Sequence, residues 1–341
     1  MVDELAIAEA VAILRRGGLV AFPTETVYGL GCDAEQPAAL RRLYAVKRRP
    51  SEHPVIVHLA SAEDLDDWAL DVSPAARTLA DACWPGPLTL VVKGSPRVLD
   101  EVTGGRDTVG LRVPAQRTAH ALLTAFRTEN GGAGVAAPSA NRFGRVSPTT
   151  AADVRADLAD DVDLVLDDGP CTVGIESTIV DCSGPTVAIL RLGGVMRSHI
   201  EELLGEPVEL RIAGETSAPG TLAAHYAPSA RVENIEQAAI TARAVALLAA
   251  GKRVGALCLD PPGDLPAGVV VLDAPTDVDD YARVLYARLR DADRHDLDVL
   301  LVVPPPYDGI GAAVADRLTR AAAGSSKLAA GSSKLDDEPV R

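Results

Sequence analysis

The chain has few aromatic residues, no paired cysteine motifs and no long apolar runs. Aromatic residues make up only 3% of its 341 residues, so Ala, Val and Leu must fill any core. Its five cysteines form no C-x-x-C pair and no zinc-ligand spacing, which favours a reducing compartment over a disulfide framework. No apolar stretch approaches the ~20 residues that a membrane-spanning helix needs. Together with an acidic start, the reverse of a secretory signal, these absences predict a cytoplasmic protein.

Basic charge is also scarce. Lys and Arg number 33 against 48 Asp and Glu, which gives a net charge of -15. General affinity for nucleic acid comes from cations that neutralise phosphates, so we expect weak or no direct nucleic-acid binding. Any small anion that the chain binds therefore requires a local basic site.

The apolar pattern predicts two α/β regions. Residues 1–207 contain eight short apolar runs with few intervening helices, which indicates one large, twisted, mixed sheet. Residues 208–230 are rich in Pro, Gly and Ala and are interpreted as a linker or lid. Residues 231–321 alternate helix and strand patterns, typical of a smaller Rossmann-like α/β domain with a largely parallel sheet. Residues 322–341 repeat AAGSSKL and are predicted to be a flexible tail.

The N-terminal segment ELAIAEAVAILRRGG predicts a helix with two glycines as its stop signal. The residues expected on its buried face are Leu5, Ala8, Val11, Ala12 and Leu14.

A glycine motif near the start has a dinucleotide-binding spacing. The stretch GLGCDA matches G-x-G-x-x-A after an apolar run. A nicotinamide site also needs an acidic residue about 20 positions further on, and that neighbourhood holds KRRPSEHP instead. The sequence therefore disfavours a nicotinamide site.

Three apolar runs break into hydroxyl, amide and carboxylate side chains. LVAF is followed by PTET, GVAAP by SAN, and Ser177 and Thr178 interrupt an otherwise apolar GIESTIVD. Each break alone is typical of local side chain to backbone hydrogen bonding. Arg112 and Arg191, however, also lie in apolar runs, where an unpaired cation is costly. The combination predicts buried anions beside these arginines.

A basic cluster ends the helix pattern PAALRRLYAVKRR. Cations at a helix C-terminus complement the macrodipole, which accounts for some of them. Lys47, Arg48 and Arg49 point in different directions around the helix end, so we expect one or two of them to face a pocket. His53 and His58 follow at an odd separation on an extended segment, so a shared metal is not expected.

Six motifs occur in the order found in one family: PTETVYGLG, KRRPSEHP, GLRVP, PSANRFGRVSPT, GIESTIVD and RLGG. The chain resembles the YrdC-like threonylcarbamoyl-AMP synthases over about residues 5–322, and APGTLAAHYAP and GIGAAVADRLTRAA are similar to the longer, two-domain members. The resemblance implies a YrdC-like catalytic domain in residues 1–207. It also implies a reaction in which L-threonine, bicarbonate and ATP give threonylcarbamoyl-AMP and pyrophosphate, for threonylcarbamoyladenosine modification of tRNA completed by partner proteins.

The resemblance further implies roles for single residues. Those expected on the L-threonine side are Thr26, His58, Arg112, Ser139 and Ser177. Those expected to bind ATP are Arg49, His53, Thr108, Asn141, Thr149, Arg191 and Tyr226, with Lys47 and Arg49 as catalytic residues near the phosphates. Magnesium is implied through the ATP phosphates, because this cation keeps waters and few protein ligands. Tyr226 either anchors the linker to the first domain or contacts ATP as part of a lid.

Two alternatives stay open at this point. An RNA-binding module would use the basic run from Arg41 to Arg49 as its footprint. The net charge and the lack of aromatic stacking residues near that run argue against it. The second alternative is a hydrolase of the same fold that acts on a carbamoyl nucleotide. Product analysis with and without threonine separates the two enzymes.

Overall fold

The computed structural model describes residues 3–130, 133–211 and 224–332. These residues divide into two compact units. The N-terminal unit contains the residues up to 143 and those from 147 to 211, and the C-terminal unit contains residues 144–146 and those from 224 onward.

The N-terminal unit is built on a mixed sheet, eleven-stranded when counted over the described residues. Its strands are β1 (Val20–Phe22), β2 (Gly29–Asp33), β3 (Ile56–His58), β4 (Ala69–Leu70), β5 (Leu88–Gly94), β6 (Thr108–Arg112), β7 (Val135–Ala136), β8 (Leu164–Val165), β9 (Thr178–Asp181), β10 (Ala188–Arg191) and β11 (Glu209–Leu210). The order is β11-β10-β9-β5-β6-β3-β7-β2-β1-β8, and β4 pairs with β5. Since β3 and β6 are parallel while β5 and β6 are antiparallel, the predicted mixed sheet is confirmed.

Helices cover this sheet and supply much of its core. They are α1 (Glu4–Arg15), α2 (Pro37–Lys47), α3 (Leu65–Trp68), α4 (Pro74–Cys83), α5 (Asp100–Thr103), α6 (Arg117–Asn130), α7 (Ala151–Leu158) and α8 (Arg197–Leu204). Helix α1 forms where predicted, capped by the Asp3 carboxylate, but its buried face differs. Val11 and Leu14 are buried as predicted, but Leu5 is 84% exposed and Ala8 and Ala12 are exposed too, whereas Ile7, Ala10 and Ile13 are buried. This helix is apolar on several sides, so packing against α6 selects the face that its sequence leaves undecided.

The polar PTET stretch forms a buried loop between the antiparallel strands β1 and β2. The Thr24 hydroxyl donates to the Val27 carbonyl at 2.7 Å and accepts the backbone N–H groups of Thr26 and Val27 at 3.2 Å. The GLGCDA glycines lie in β2 itself, where a Cβ on Gly31 would come within 2.8 Å of the Phe22 ring. These glycines serve close strand packing and do not form the turn before a helix that a dinucleotide site requires.

The C-terminal unit has a four-stranded parallel sheet. Its strands are β12 (Arg231–Asn234), β13 (Val254–Leu257), β14 (Val269–Val271) and β15 (Val299–Val302), in the order β12-β15-β13-β14. Its helices are α9 (Ile240–Ala249), α10 (Val278–Arg294) and α11 (Gly309–Ser332). The predicted smaller α/β domain is confirmed. In the part of the chain that the structure describes, no helix is long and apolar enough to cross a membrane.

The boundaries of the predicted linker and tail need correction. Strand β11 pairs with β10, so the start of the predicted linker belongs to the first sheet; residues 212–223 lie outside the described residues. Helix α11 continues to Ser332, so the prediction of a flexible tail is wrong for residues 322–332. Residues 333–341 lie outside the described residues. The cause is a specific contact: the buried Ser325 hydroxyl accepts the Val232 N–H at 3.0 Å.

We expect Ser325→Ala to destabilise the protein by about 1–2 kcal/mol, because it leaves the buried Val232 N–H of β12 without an acceptor. Ser326→Ala is the matched control, since the exposed Ser326 hydroxyl bonds within its own helix, to the Ala322 carbonyl. Urea unfolding of the full chain measures both. Equal effects of the two substitutions would show that the end of α11 does not stabilise the sheet.

Candidate functional site

Arg112 lies at the end of β6 and has three protein partners. Its Nε donates to the Gly86 carbonyl at 3.1 Å, one terminal nitrogen to the Thr26 hydroxyl at 2.9 Å, and the other to the Glu25 carboxylate at 2.6 Å. The Glu25 carboxylate also accepts the Ala115 N–H at 3.1 Å. The side chains of Arg112 and Glu25 are 4% and 9% exposed, so this is a buried ion pair. The anion predicted beside Arg112 is thus, in the structure described, a carboxylate of the protein.

His58 lies next to Arg112 at the ends of the parallel strands β3 and β6, in register with it. It is buried, and its Nδ1 has no hydrogen-bond partner among the described residues. Its ring meets Phe22 edge-on, with centroids 6.2 Å apart. Burial, together with the Arg112 guanidinium, lowers the pKa of His58 to about 3. His58 is therefore a neutral imidazole at neutral pH, able to accept a hydrogen bond.

Ser177 connects the residues predicted for the two substrates. Its hydroxyl lies 2.8 Å from the hydroxyl of Thr89. Arg191, at the end of β10, donates to the Ser177 carbonyl from both Nε and a terminal nitrogen, and reaches the Ser177 hydroxyl at 3.0 Å. Sequence reasoning missed Thr89. The signal was a single hydroxyl inside the apolar run LTLVV, the same kind of break that marked STIVD.

Lys47 is buried at the end of α2 and holds a loop of the candidate site. Its Nζ donates to the carbonyl of Ser139 and, at 2.7 Å, to that of Asn141. The Ser139 hydroxyl in turn donates to the Asn141 side chain at 2.6 Å. Burial, followed by the nearby Arg49, lowers the pKa of Lys47 well below its ordinary value. Lys47 thus joins α2 to the SAN segment by bonding with carbonyl oxygens.

Arg49 and His53 meet at an aromatic ring that the sequence analysis did not single out, that of Phe143. The Arg49 guanidinium carbon lies 5.6 Å from the ring centroid, and the His53 ring packs edge-on at 5.4 Å. Arg49 also donates to the Pro54 carbonyl at 2.8 Å. Arg48, by contrast, is exposed and ends the helix in a left-handed conformation. The basic cluster therefore points in different directions, as predicted.

The other predicted ATP residues are more dispersed. Thr149 is buried, with its N–H on the Asp153 carboxylate at the start of α7. Thr108 begins β6, at the opposite end of that strand from Arg112. Tyr226 belongs to the C-terminal unit and is 1% exposed. Its ring lies 5.5 Å from the ring of Tyr286 and 5.4 Å from the guanidinium of Arg317, so these described partners lie in the C-terminal unit and not in the first domain.

Fold and site together define an α/β protein with a buried, cation-lined polar site at the ends of its sheet strands. Two family models match this chain. One, described as "Telomere recombination", matches residues 12–193. The other, described as "Threonylcarbamoyl-AMP synthase, C-terminal domain", matches residues 195–323.

Named relatives match over almost the full length. The threonylcarbamoyl-AMP synthase of Pyrococcus abyssi is 38% identical over 94% of this chain and 95% of its own. That of Bacillus subtilis is 36% identical over 93% of each chain. The crystal structure of the P. abyssi protein Sua5 complexed with L-threonine has a TM-score of 0.87 at 36% identity and covers 95% of this chain and 96% of its own. The chain belongs to the YrdC-like threonylcarbamoyl-AMP synthase family, in its longer, two-domain form.

The neutral state of His58 predicts an acid sensitivity with a definite sign. Its pKa is about 3 when folded and about 6.5 when unfolded, so the unfolded chain binds the proton more readily. The contribution of this pKa difference to the free energy of unfolding is fully present above pH 6.5 and is lost as the pH falls towards 3. At pH 5 the loss is about 2 kcal/mol. Urea unfolding at pH 7.5 and 5 should show a smaller loss in His58→Gln than in the native chain. The same loss in both would contradict a depressed pKa.

Proposed function

We propose that this enzyme makes L-threonylcarbamoyl-AMP and pyrophosphate from L-threonine, bicarbonate and ATP. The observation that carries the proposal is the match over almost the whole chain to threonylcarbamoyl-AMP synthases, at 38% identity for the P. abyssi protein. The enzyme is accordingly a nucleotidyltransferase. Its product would serve threonylcarbamoyladenosine modification of tRNA, completed by partner proteins.

On the threonine side, Arg112 would bind the substrate carboxylate. Each terminal nitrogen of a guanidinium carries two N–H groups, and the protein contacts of Arg112 use one on each. Two parallel hydrogen bonds from these terminal nitrogens would hold the carboxylate, which is the geometry that Arg favours. His58 and the hydroxyls of Thr26, Ser139 and Ser177 would hold the amine, the side-chain hydroxyl and the forming carbamate. A neutral His58 suits this role, since an imidazolium would repel the substrate ammonium.

On the nucleotide side, Arg49, His53, Thr108, Asn141, Thr149 and Arg191 would bind ATP. Arg191 would lie beside the threonine side, because it bonds Ser177 directly, and so would Asn141, which accepts a hydrogen bond from Ser139. Lys47 and Arg49 would stand near the phosphates, with Lys47 also fixing the Ser139 and Asn141 carbonyls. Magnesium would arrive as the ATP complex and neutralise phosphate charge.

The reaction needs positioning more than covalent catalysis. The threonine amine, after losing a proton to solvent, would attack bicarbonate with loss of water, or CO2 with loss of a second proton, to give a carbamate. The carbamate oxygen would then attack the α-phosphate, break its bond to the β-phosphate and release pyrophosphate. All three substrates carry negative charge, so fixed cations and hydrogen-bond donors can lower the barrier by bringing anions together. Arg191, assigned to ATP, bonds Ser177, assigned to threonine, so the two proposed substrate sides adjoin at this contact.

The linker would act as a lid, with Tyr226 contacting ATP and the closed site excluding water from the adenylate. In one solved structure, of a P. abyssi Sua5 variant, adjacent His and Tyr residues are replaced by Ala. That structure has a TM-score of 0.87 to this chain at 36% identity, and it covers 95% of this chain and 94% of its own. His225 and Tyr226 are the adjacent His and Tyr of this sequence. We also propose a cytoplasmic location.

No specific observation favours the RNA-binding or hydrolase alternatives. In the proposed RNA footprint, Arg41 pairs with Glu101 at 2.9 Å and Arg42 with Asp163 at 2.6 Å. Carboxylates therefore already neutralise two of its cations.

We expect pyrophosphate release from ATP to require both L-threonine and bicarbonate, and serine to be a poorer substrate. A single methyl group is worth about 1–3 kcal/mol of discrimination in a fitted pocket. The measurement is pyrophosphate release with each substrate omitted in turn, with the adenylate identified by mass. Release without threonine would instead support a hydrolase.

Substitution of Arg112 and of Arg191, two buried arginines of the candidate site, should affect the two substrates differently. Arg112→Ala should raise the KM for threonine far more than that for ATP, and Arg191→Ala the reverse, because removing one partner of a buried charged pair costs about 2 to 5 kcal/mol. Steady-state kinetics with each substrate varied measures the split. Thermal melts show whether each variant folds, and equal effects on both KM values would contradict the assignment of sides.

A further inference from the structure

Arg112 is paired with a carboxylate of the protein itself. The Glu25 carboxylate lies 2.6 Å from one terminal nitrogen of Arg112, and both side chains are buried. Removing the partner of a buried charge is strongly destabilising, since the remaining charge has lost both water and its counter-ion. An enzyme that holds a buried arginine for an anionic substrate therefore needs another anion while the site is empty.

Two carboxylates on this arginine would repel each other. If Glu25 stayed in place when the threonine carboxylate bound, one guanidinium would face two buried negative charges, and burial strengthens their repulsion. Glu25 also lines a cleft of about 390 Å³, together with Thr24, Gln116, Thr172 and the ion-paired Arg117 and Asp168. The cleft gives the Glu25 side chain space away from Arg112. The backbone around it is held by the bonds of the Thr24 hydroxyl, so the side chain can turn without opening the loop.

We propose that Glu25 is the internal counter-ion of the threonine-carboxylate site. Without threonine, Glu25 neutralises Arg112. When the threonine carboxylate binds to the Arg112 guanidinium, the Glu25 side chain turns towards the cleft. This inference rests on the proposed function, in which Arg112 binds threonine. Glu25 would therefore stabilise the fold but weaken threonine binding, because it competes with the substrate for Arg112. Only a ligand with its own negative charge can replace it.

Glu25→Gln tests the competition because it keeps the shape and removes the charge. The variant should melt at a lower temperature without ligand, yet its KM for threonine should fall about five- to tenfold, since charged hydrogen bonds are roughly twice as strong as neutral ones. L-Threonine should raise its melting temperature more than it raises that of the native chain. L-Threoninamide, which lacks the carboxylate, should give no such additional rise.

Asp64→Asn is a matched control. Asp64 is a buried carboxylate bonded to Arg127 at 2.6 Å, and it has no part in the proposed site. Its replacement should lower the melting temperature without changing the threonine KM or the rise caused by threonine. If Glu25→Gln does not fold, Glu25→Asp keeps the charge but shortens its reach, and should lower the threonine KM about two- to threefold.

The outcomes separate this inference from the function on which it rests. If Arg112→Ala leaves the threonine KM unchanged, the assignment of the threonine side fails and the inference fails with it. If Arg112→Ala raises that KM but the Glu25 variants leave it unchanged or raise it, only the inference is overturned, and Glu25 is a purely structural partner of Arg112.

Discussion

The burial of the Arg112 charge is the constraint on which the N-terminal unit depends. Its guanidinium bonds the PTET loop through Glu25 and Thr26, and the segment before β5 through Gly86. Its strand, β6, runs parallel to β3, which brings His58 alongside. Because a buried cation is stable only with its hydrogen bonds made, these distant segments must meet whenever the unit folds. The same requirement leaves polar groups at strand ends, where a substrate can replace protein partners.

Desolvation then decides which groups of the site carry charge. It keeps His58 neutral and lowers the pKa of Lys47, whereas Arg112 and Arg191 remain cations because guanidinium cannot be deprotonated in proteins. The site therefore combines permanent guanidinium cations with neutral donors and acceptors and with the Glu25 carboxylate, which is paired with Arg112. Ser177, proposed for threonine, accepts a hydrogen bond from Arg191, proposed for ATP, and its hydroxyl also bonds that of Thr89. Such an arrangement fits a reaction between two anions better than one that needs a titrating acid or base.

Local patterns predicted the classes of structure, and long-range contacts decided the rest. Apolar runs gave both sheets, and breaks in those runs marked Ser177 and the PTET loop. The sequence did not predict strand β12, because RVEN has one buried apolar residue, Val232. Among the described strands, β12 lies at the sheet edge and pairs with β15. The tail was misjudged because Ser325 is polar by type yet fits a buried acceptor position beside that strand. Phe143 was missed because its partners, Arg49 and His53, are distant in the sequence.

The net charge of -15 and a site for anions are compatible because they act over different distances. At physiological salt, charges on the surface are screened beyond about 8–10 Å, whereas buried pairs are screened far less. Arginines on the surface are matched by acids, as in Arg117 with Asp168 at 2.7 Å. A polyanion has to bind that surface, where few cations are available to it. A small anion can instead enter the site that contains the buried Arg112 and Arg191. The charge distribution thus favours small anionic substrates over nucleic acid.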